Sequence, residues 1–188
     1  MRVGFMSGRK RNRKRDYDYA LPGYYFVTIC TQDRMEWFGK IIDGKMKLND
    51  VGTIVFHQWQ WLARQYPFVR LDAFQIMPNH VHGIIAFNMD YVNYPHSVGT
   101  GLDLSLPNAP FLPNDRSLPA TPSLSLSNII GALKTTSSIK IHQTGFHDFS
   151  WQRSFHDRIV RDAKALEQIR WYIHQNPANW SNDRNNTD

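Results

Sequence analysis

The chain has 188 residues, of which 41% are apolar and 13% aromatic, and it carries a formal net charge of +6. This size and composition suit one globular domain with one buried core. The single cysteine, Cys30, excludes an intrachain disulfide and a cysteine-rich zinc site. The sequence has neither an apolar run of the roughly 20 residues that cross a bilayer nor an N-terminal stretch typical of a secretory signal. We therefore expect a cytoplasmic protein with no membrane partner.

The positive charge is concentrated at the N-terminus. Residues 1–15 contain seven basic side chains and no acid, which gives them +7 and leaves −1 for the rest of the chain. We assign residues 1–16 to a flexible basic arm and residues 17–188 to a single domain. Such a dense run of charge favours nucleic-acid binding over a merely solubilising tail. The residues expected to contact DNA phosphates are Arg9, Lys10, Arg11, Arg13, Lys14 and Arg15.

The first half of the domain predicts strands around one helix. Residues 23–32, GYYFVTICTQ, are aromatic and β-branched, as is typical of a central strand. An Asp-Gly pair within residues 38–50 predicts a hairpin. Residues 51–65 place apolar side chains at helical spacing after Asp50, a candidate N-cap. A further strand is expected over residues 68–77.

Two histidines interrupt the next apolar strand. Within residues 75–87, QIMPNHVHGIIAF, a hairpin or bulged bend at Pro78 leads to His80 and His82, which are separated by one valine. Side chains alternate between the faces of a strand, so both imidazoles should project from the same face. Such a pair can hold a metal ion, but it can equally be a hydrogen-bonded part of the core. This stretch alone leaves both interpretations open.

The middle of the chain predicts an insertion followed by a second helix. Residues 88–124 hold six of the ten prolines among Ser, Asn and Gly, which is typical of a long mobile insertion. Residues 125–143 have helical spacing, and Lys134 lies on the polar face of that helix, where it would meet phosphates or only water.

Residues 149–160, FSWQRSFHDRIV, predict a mixed strand or extended connector. Trp151, Gln152 and Arg153 in this segment are candidates for stacking on, or hydrogen bonding to, an unpaired base. For Trp151, packing in the core is an equally good interpretation.

The last predicted helix begins after Asp162 and runs to Asn176, where Pro177 stops it. Tyr172 and Asn176 are four residues apart, so they lie one turn apart on one side of the helix, at the edge of its apolar stripe. Taken alone, each has an ordinary structural interpretation, as a core-edge tyrosine and as a helix terminator.

Four blocks in order along the chain change this balance. They are LPGYYFVTICTQDR, MPNHVHGII, WQRSFHDRIVRD and YIHQNP, and together they cover most of residues 21–177. In this combination the sequence resembles the REP-associated tyrosine transposases, a subgroup of the single-tyrosine HUH transposases. The insertion at residues 88–124 is long for that family.

The resemblance implies a fold, a chemistry and a partner. The fold is an α+β domain of the HUH nuclease type, with a ferredoxin-like antiparallel sheet and helices packed on it. His80, His82 and Asn176 would bind a divalent cation, Mn²⁺ or Mg²⁺, and Tyr172 would be the nucleophile that forms a 5′-phosphotyrosine. The partner would be single-stranded or hairpin DNA, bound by a monomer or a homodimer.

The chemistry of these residue types agrees with that function. A phosphodiester is negatively charged and resists nucleophilic attack, so a bound cation would neutralise charge and position the phosphate. Imidazoles with an amide oxygen suit Mn²⁺ and, less well, Mg²⁺. Two alternatives remain: a noncatalytic DNA- or RNA-binding protein on the same fold, and a metal-dependent hydrolase of small phosphate esters. The hydrolase would require a carboxylate near the metal, and none is evident at a suitable spacing.

Overall fold

The computed structural model describes residues 17–87 and 124–186. The predicted basic arm and the predicted insertion, apart from residue 124, lie outside these ranges. The described chain forms six strands and three α-helices, followed by a short 3₁₀ helix at Pro177–Asn182. In chain order they are β1 (Gly23–Cys30), β2 (Gly39–Ile42), β3 (Lys45–Leu48), α1 (Asp50–Gln65), β4 (Val69–Met77), β5 (His80–Phe87), α2 (Leu126–Gln143), β6 (His156–Val160) and α3 (Ala163–Gln175).

Four strands form one antiparallel sheet in the order β4-β5-β1-β6. Without the β2–β3 hairpin, the remaining elements up to β6 follow the order βαββαβ, with the first and third of these four strands central. That arrangement is the ferredoxin-like topology. The predicted α+β fold class, an antiparallel sheet with helices packed on it, is therefore confirmed.

The pleat of the two central strands divides the protein into two layers. Tyr25 and Ile29 of β1 and Val81 and Ile85 of β5 point to one face, where α1 and α2 cover them in the main core. The alternate residues of both strands point to the opposite face. There α3 packs Ile169 and Ile173 against Ile84 in a smaller apolar cluster. The histidines of β5 project from this second face.

Of the two helix caps predicted from the sequence, one is confirmed and one is wrong. Asp162 caps α3 by accepting a hydrogen bond from the Ala165 amide at 2.7 Å, as predicted, and the second helix lies within its predicted range. The prediction of Asp50 as the N-cap of α1 is wrong by one residue. The Asn49 side chain accepts the bond from the Gly52 amide at 2.9 Å, because Asn49 has the extended backbone of an N-cap whereas Asp50 is already the first helical residue.

The predicted Asp-Gly hairpin is present as β2 and β3. Asp43 and Gly44 form its two-residue turn, with φ of 50° and 67°. Left-handed backbone at both positions is the requirement of a type I′ turn, which Asp-Gly meets at low cost. The tip of this hairpin touches the 3₁₀ helix, since a Cβ atom added at Gly44 would lie 3.5 Å from the Cα of Ala178.

None of the helices in the two described ranges is long and apolar enough to cross a membrane.

One glycine of β5 fixes how closely α1 approaches the sheet. A Cβ atom at Gly83 would lie 2.4 Å from two ring carbons of Trp59, which is buried and stacks on Phe74. We predict that Gly83→Ala lowers the free energy of unfolding by about 1–3 kcal/mol through overpacking. Urea unfolding of wild type and variant measures this difference.

The matched control is Gly131→Ala on the exposed side of α2, where an added Cβ has no neighbour within 4 Å. This change should raise stability by about 0.5–1 kcal/mol, because it restricts the unfolded chain without a clash. Equal effects of the two substitutions would contradict the close contact at Gly83.

Candidate active site

The two histidines of β5 lie side by side on the face covered by α3. Their Nε2 atoms are 3.0 Å apart, and both side chains are buried. Antiparallel pairing places Cys30 opposite His80 and Thr28 opposite His82. The predicted adjacency of the imidazoles is therefore present, at the end of the sheet where β1 ends and β5 begins.

Asn79 determines the tautomer of His80. The Asn79 amide nitrogen donates to the backbone carbonyls of Arg34 at 3.0 Å and Asn185 at 2.8 Å. Its oxygen is thus the atom that lies 2.8 Å from His80 Nδ1 and must accept a proton from it. A neutral His80 then carries its lone pair on Nε2, directed at His82.

Thr28 supports His82 from the neighbouring strand. Its hydroxyl lies 2.9 Å from His82 Nδ1 and can donate or accept. When the hydroxyl accepts, the Nε2 lone pair of His82 faces that of His80 at 3.0 Å, and a cation bound between them would remove this repulsion. When the hydroxyl donates, His82 carries its proton on Nε2 and can donate it to His80. Neutral imidazoles held in this way are typical metal ligands.

Burial keeps both imidazoles neutral. It is the main cause that lowers the pKa of His80 to about 3, and the positive charges of Arg34 and Arg184 act in the same direction. Burial and the adjacent His80 lower the pKa of His82 well below its usual value. Both side chains can therefore act as nitrogen ligands at neutral pH and well below it.

Tyr172 of α3 reaches His82, and Asn176 at the C-cap lies beside Tyr172. The Tyr172 hydroxyl lies 3.2 Å from His82 Nε2, and the ring packs edge-on against Phe26. Burial and the charge of Asp183 raise the pKa of Tyr172, while a hydrogen bond from Asn176 and the charge of Arg184 lower it. The Asn176 side chain is buried, and its Oδ1 has no hydrogen-bond partner among the described residues.

Asp183 adds a carboxylate that the sequence analysis missed. Its Oδ2 lies 4.0 Å from His80 Nε2, and ligand atoms of His80, His82 and Asp183 all fall within 4.8 Å of one another. The 3₁₀ helix after α3 carries the chain back over the site, so Asp183 reaches it from seven positions after Asn176. No periodic pattern in this short segment signalled that return.

The donor set fits a divalent cation. Two neutral nitrogens and a carboxylate oxygen lie within 4.8 Å of one another. The neighbouring Asn176, which hydrogen-bonds to Tyr172, has a buried amide oxygen without a partner among the described residues, and such atoms are rare in folded proteins. The mixture of imidazole and oxygen ligands suits Mn²⁺, and the oxygen ligands alone suit Mg²⁺.

Two residues predicted to bind DNA have structural roles in this fold. Trp151 is only 8% exposed, packs against Phe38 and Phe149, and donates its indole N–H to Ser137 Oγ at 2.9 Å. The ring has no free face for a base, so its assignment as a stacking residue is corrected to a core residue.

Lys134 is likewise not free on a polar face. Its ammonium group donates to the carbonyls of Gln152 at 2.8 Å and Ser154 at 3.0 Å, and burial lowers its pKa to about 8. It ties α2 to the segment before β6, because those two carbonyls lie outside any strand ladder. Its predicted role in DNA binding is corrected to this one.

The other residues predicted to bind DNA are Gln152, Arg153 and the basic residues of the arm. Gln152 and Arg153 lie beside the end of β1 in space, where the Gln152 amide donates to the Cys30 carbonyl at 2.9 Å. They lie at the same end of the sheet as the histidines, and Arg153 is exposed. Their role stays a prediction. The six basic residues of the arm lie outside the described residues.

Trp171 is a second residue that the sequence analysis missed. It is 66% exposed on α3, directly before Tyr172. The helical wheel carries a signal for it, since Trp171 falls roughly opposite the buried Ile169 and Ile173. The Trp171 side chain is exposed beside Tyr172 and is therefore a candidate for contact with a ligand such as an unpaired base.

Comparison with known proteins identifies relatives of this chain in sequence and in fold. Residues 118–176, which include α3 and its C-cap, match the model of a family described as "Transposase IS200 like". An uncharacterized protein of Haemophilus influenzae is 34% identical over 176 residues, which cover 94% of this chain and 92% of the relative. The family match indicates a transposase, while the Haemophilus relative is itself uncharacterized. The chain belongs to the IS200-like transposase family.

A solved structure shares the fold. The REP-associated tyrosine transposase bound to a REP hairpin is similar with a TM-score of 0.52, at 18% sequence identity, over 89% of this chain and 73% of that one. The resemblance of the sequence to this group is thereby confirmed.

The buried histidines should make stability depend on pH. The unfolded chain binds a proton at each histidine below about pH 6.5, whereas the folded site does not, so stability falls as the pH is lowered from about 6.5 towards the folded pKa. We predict that His80 alone costs roughly 2 kcal/mol at pH 5 relative to pH 7. Urea unfolding of wild type and His80→Gln at pH 7, 6 and 5 tests this, and the variant should lose less stability.

His174→Gln is the control, because that side chain is exposed on α3. It should retain the pH dependence of wild type. A slope that is the same for wild type and His80→Gln would show that His80 is protonated in the folded protein.

Proposed function

We propose that this protein cleaves and rejoins single-stranded DNA beside hairpins of the REP type, with Tyr172 as the nucleophile and a divalent cation held by the histidines of β5. The observation that carries this proposal is the position of the Tyr172 hydroxyl, 3.2 Å from Nε2 of His82. A phenol aimed at a pair of neutral imidazoles is a combination suited to phosphoryl transfer. Membership of a transposase family supports the choice of DNA as substrate.

His80 and His82 would hold the cation through Nε2, and Asn176 through its unpartnered Oδ1. Asp183 is a further candidate ligand, with Oδ2 4.0 Å from His80 Nε2. A carboxylate reduces the net charge at the site relative to three neutral ligands, and it is a ligand that both Mn²⁺ and Mg²⁺ accept. When bound, the cation would supply charge neutralisation for the phosphate.

The protein side chains would act on the phosphodiester as follows. The Tyr172 oxygen forms a bond to phosphorus while the bond from phosphorus to the 3′ oxygen breaks. The products are a 5′-phosphotyrosine and a 3′-hydroxyl, and the proton lost by the phenol balances the one gained by the 3′ oxygen. Reversal with another 3′-hydroxyl rejoins the strand without an external energy source, which water as the nucleophile would not allow.

Two contacts of Tyr172 would assist this step, whereas burial opposes it by raising the pKa of the phenol. The Asn176 amide, by donating to the tyrosine oxygen, favours the phenolate over the phenol. The apolar contacts of Phe26 with both Tyr172 and His82 restrict the tyrosine ring to an orientation that faces the histidines.

The DNA partner is proposed from the family and from one neighbour in structure. The REP-associated tyrosine transposase of similar fold was solved bound to a REP hairpin. In this chain the arm of residues 1–16 is a proposed DNA contact because of its positive charge. Gln152 and Arg153 are proposed contacts because they lie at the histidine end of the sheet.

The nucleophile can be tested by trapping the covalent adduct. Tyr172→Phe should abolish a denaturant-stable adduct with labelled hairpin DNA in Mn²⁺, because the phenol oxygen that bonds to phosphorus is gone. DNA affinity should change little, since the ring and its packing remain. Gel electrophoresis under denaturing conditions measures the adduct, and fluorescence anisotropy measures the affinity.

Tyr24→Phe is a matched control, because Tyr24 is 39% exposed and Tyr172 is 40% exposed. It should form the adduct as wild type does, and His82→Ala should form none at any Mn²⁺ concentration. An adduct that persists in Tyr172→Phe would refute the assignment. Tight DNA binding by wild type without any adduct would favour the noncatalytic binding protein instead.

Trp171 is proposed to stack on an unpaired base next to the cleaved bond. Stacking on an aromatic side chain is worth about 1–3 kcal/mol per base, so Trp171→Ala should weaken binding of single-stranded DNA by that amount. Anisotropy titrations with unstructured oligonucleotides measure the difference.

Ile139→Ala serves as the comparison, because Ile139 is a 48% exposed apolar residue on another helix. It should bind the same oligonucleotides with wild-type affinity. Unchanged affinity in Trp171→Ala would remove Trp171 from the DNA contacts.

A further inference from the structure

We propose that the outer face of the β2–β3 hairpin, formed by Lys40, Lys45 and Lys47, binds DNA phosphates beside the candidate active site. We call this surface the lysine face. The inference rests on the proposed function, because it takes DNA as the substrate and adds a second surface on which the DNA lies.

The register of the hairpin gathers the three lysines on one side. Lys40 is paired directly with Lys47, and Ile42 with Lys45, so these four side chains project from the same face. All four residues are exposed. Like charges directly opposite each other in an antiparallel pair destabilise it. A ribbon of only four residues per strand therefore carries an unfavourable pair at its centre.

The lysine face contributes nothing evident to packing. The other side of the ribbon holds the partly buried Ile41 and Met46, and Met46 packs against the main core. The three lysines form no ion pair within the described chain, where Asp72 and Glu167 both pair with Arg170. The repulsion among these lysines is thus not neutralised by an ion pair within the described chain. We take this as an indication that the lysine face binds a polyanion.

The hairpin is attached to the site by backbone contacts. The Phe38 amide donates to the carbonyl of Pro78 at 3.0 Å, in the turn directly before the histidines. At its tip, Gly44 lies against Ala178, two residues after Asn176. The lysine face therefore extends from the same end of the sheet as the histidines and Tyr172, and a strand that enters the site can continue over it.

Charge and shape favour DNA over an anionic membrane surface. The only apolar side chain on the lysine face is Ile42, which is too little to enter a lipid interface. A narrow ribbon with lysines on both strands instead offers several positive charges to one nucleic-acid backbone, and lysine binds phosphate as a point charge.

The test compares two triple variants of the full chain that lose the same charge. The first is Lys40→Ala, Lys45→Ala, Lys47→Ala. The control is Arg64→Ala, Arg70→Ala, Lys164→Ala, which removes exposed cations at the end of α1, the start of β4 and the start of α3, all at the opposite end of the sheet. The probe is a fluorescein-labelled DNA hairpin with single-stranded flanks, titrated by anisotropy from 50 to 300 mM NaCl.

The lysine-face variant should bind the probe about tenfold more weakly at 100 mM salt. Its slope of log affinity against log salt should be smaller by about 2–3 units, because each lost phosphate contact removes roughly 0.7 to 0.9. The control variant should keep the wild-type slope. Equal slope changes in both variants would reduce the effect to net charge and overturn the proposal.

Two further measurements distinguish DNA binding by the lysine face from a role of the lysines in stability and from the proposed function of Tyr172. Lys47→Glu should weaken binding while leaving the melting temperature unchanged or higher, since it replaces a repulsive pair by an attractive one. Lower thermal stability would show that the lysines serve the fold. If wild type forms the tyrosine adduct and the lysine-face variant binds the probe normally, the lysine face is wrong and the proposed function stands.

If wild type neither binds the probe nor forms an adduct, both proposals fail. The same proteins are also titrated with vesicles of one-third phosphatidylserine. Loss of vesicle binding in the lysine-face variant together with normal DNA binding would assign the surface to membranes and overturn the proposal for DNA.

Discussion

The pairing of β1 with β5 is the interaction on which the rest of the structure depends. Its register sets Thr28 opposite His82 and Cys30 opposite His80, and it assigns alternate side chains to the two faces of the sheet. A shift by one residue would turn the histidines into the main core and Val81 towards α3. The buried apolar residues of both strands on the main-core side make that shift costly, so the core fixes the position of the site.

The cost of burying two imidazoles is met by polar groups arranged around them. Asn79 uses its amide nitrogen for two carbonyls and its oxygen for His80, so every polar atom of its side chain is satisfied. One of those carbonyls belongs to Asn185, whose side chain also accepts a hydrogen bond from Arg34. The segment after α3 therefore supports the histidines from behind while Asp183 faces them. Networks of this kind hold side chains in a single arrangement when all their members are paired.

The sequence predicted most of the elements because their signals are local. Asp-Gly specified the turn at residues 43 and 44, Asp162 specified the start of α3, and alternation placed both histidines on one face. The elements that periodicity does not describe were missed. Asp183 reaches the site through a short 3₁₀ helix, and Trp171 lies outside the apolar stripe that was used to orient α3.

The two wrong assignments to DNA binding have a common physical cause. Trp151 and Lys134 were judged by residue type, which does not show whether an indole or an ammonium group already has partners. Ser137 accepts from Trp151, and two carbonyls accept from Lys134, and both contacts join segments far apart in the sequence. Only the tertiary structure brings such partners together, whereas the pair formed by Tyr172 and Asn176 follows from the geometry of one helix.

The direction of β5 separates the site from the point where the described chain is interrupted. The strand begins at the histidines and ends at Phe87, whose neighbours in the sheet are Gly23 and Val69 at the far edge. The chain resumes at α2, where the Leu126 amide donates to the Tyr19 carbonyl just before β1. Both junctions thus lie a full strand length from the imidazoles. A reporter group can be introduced at either junction without touching a described residue that contacts the histidines.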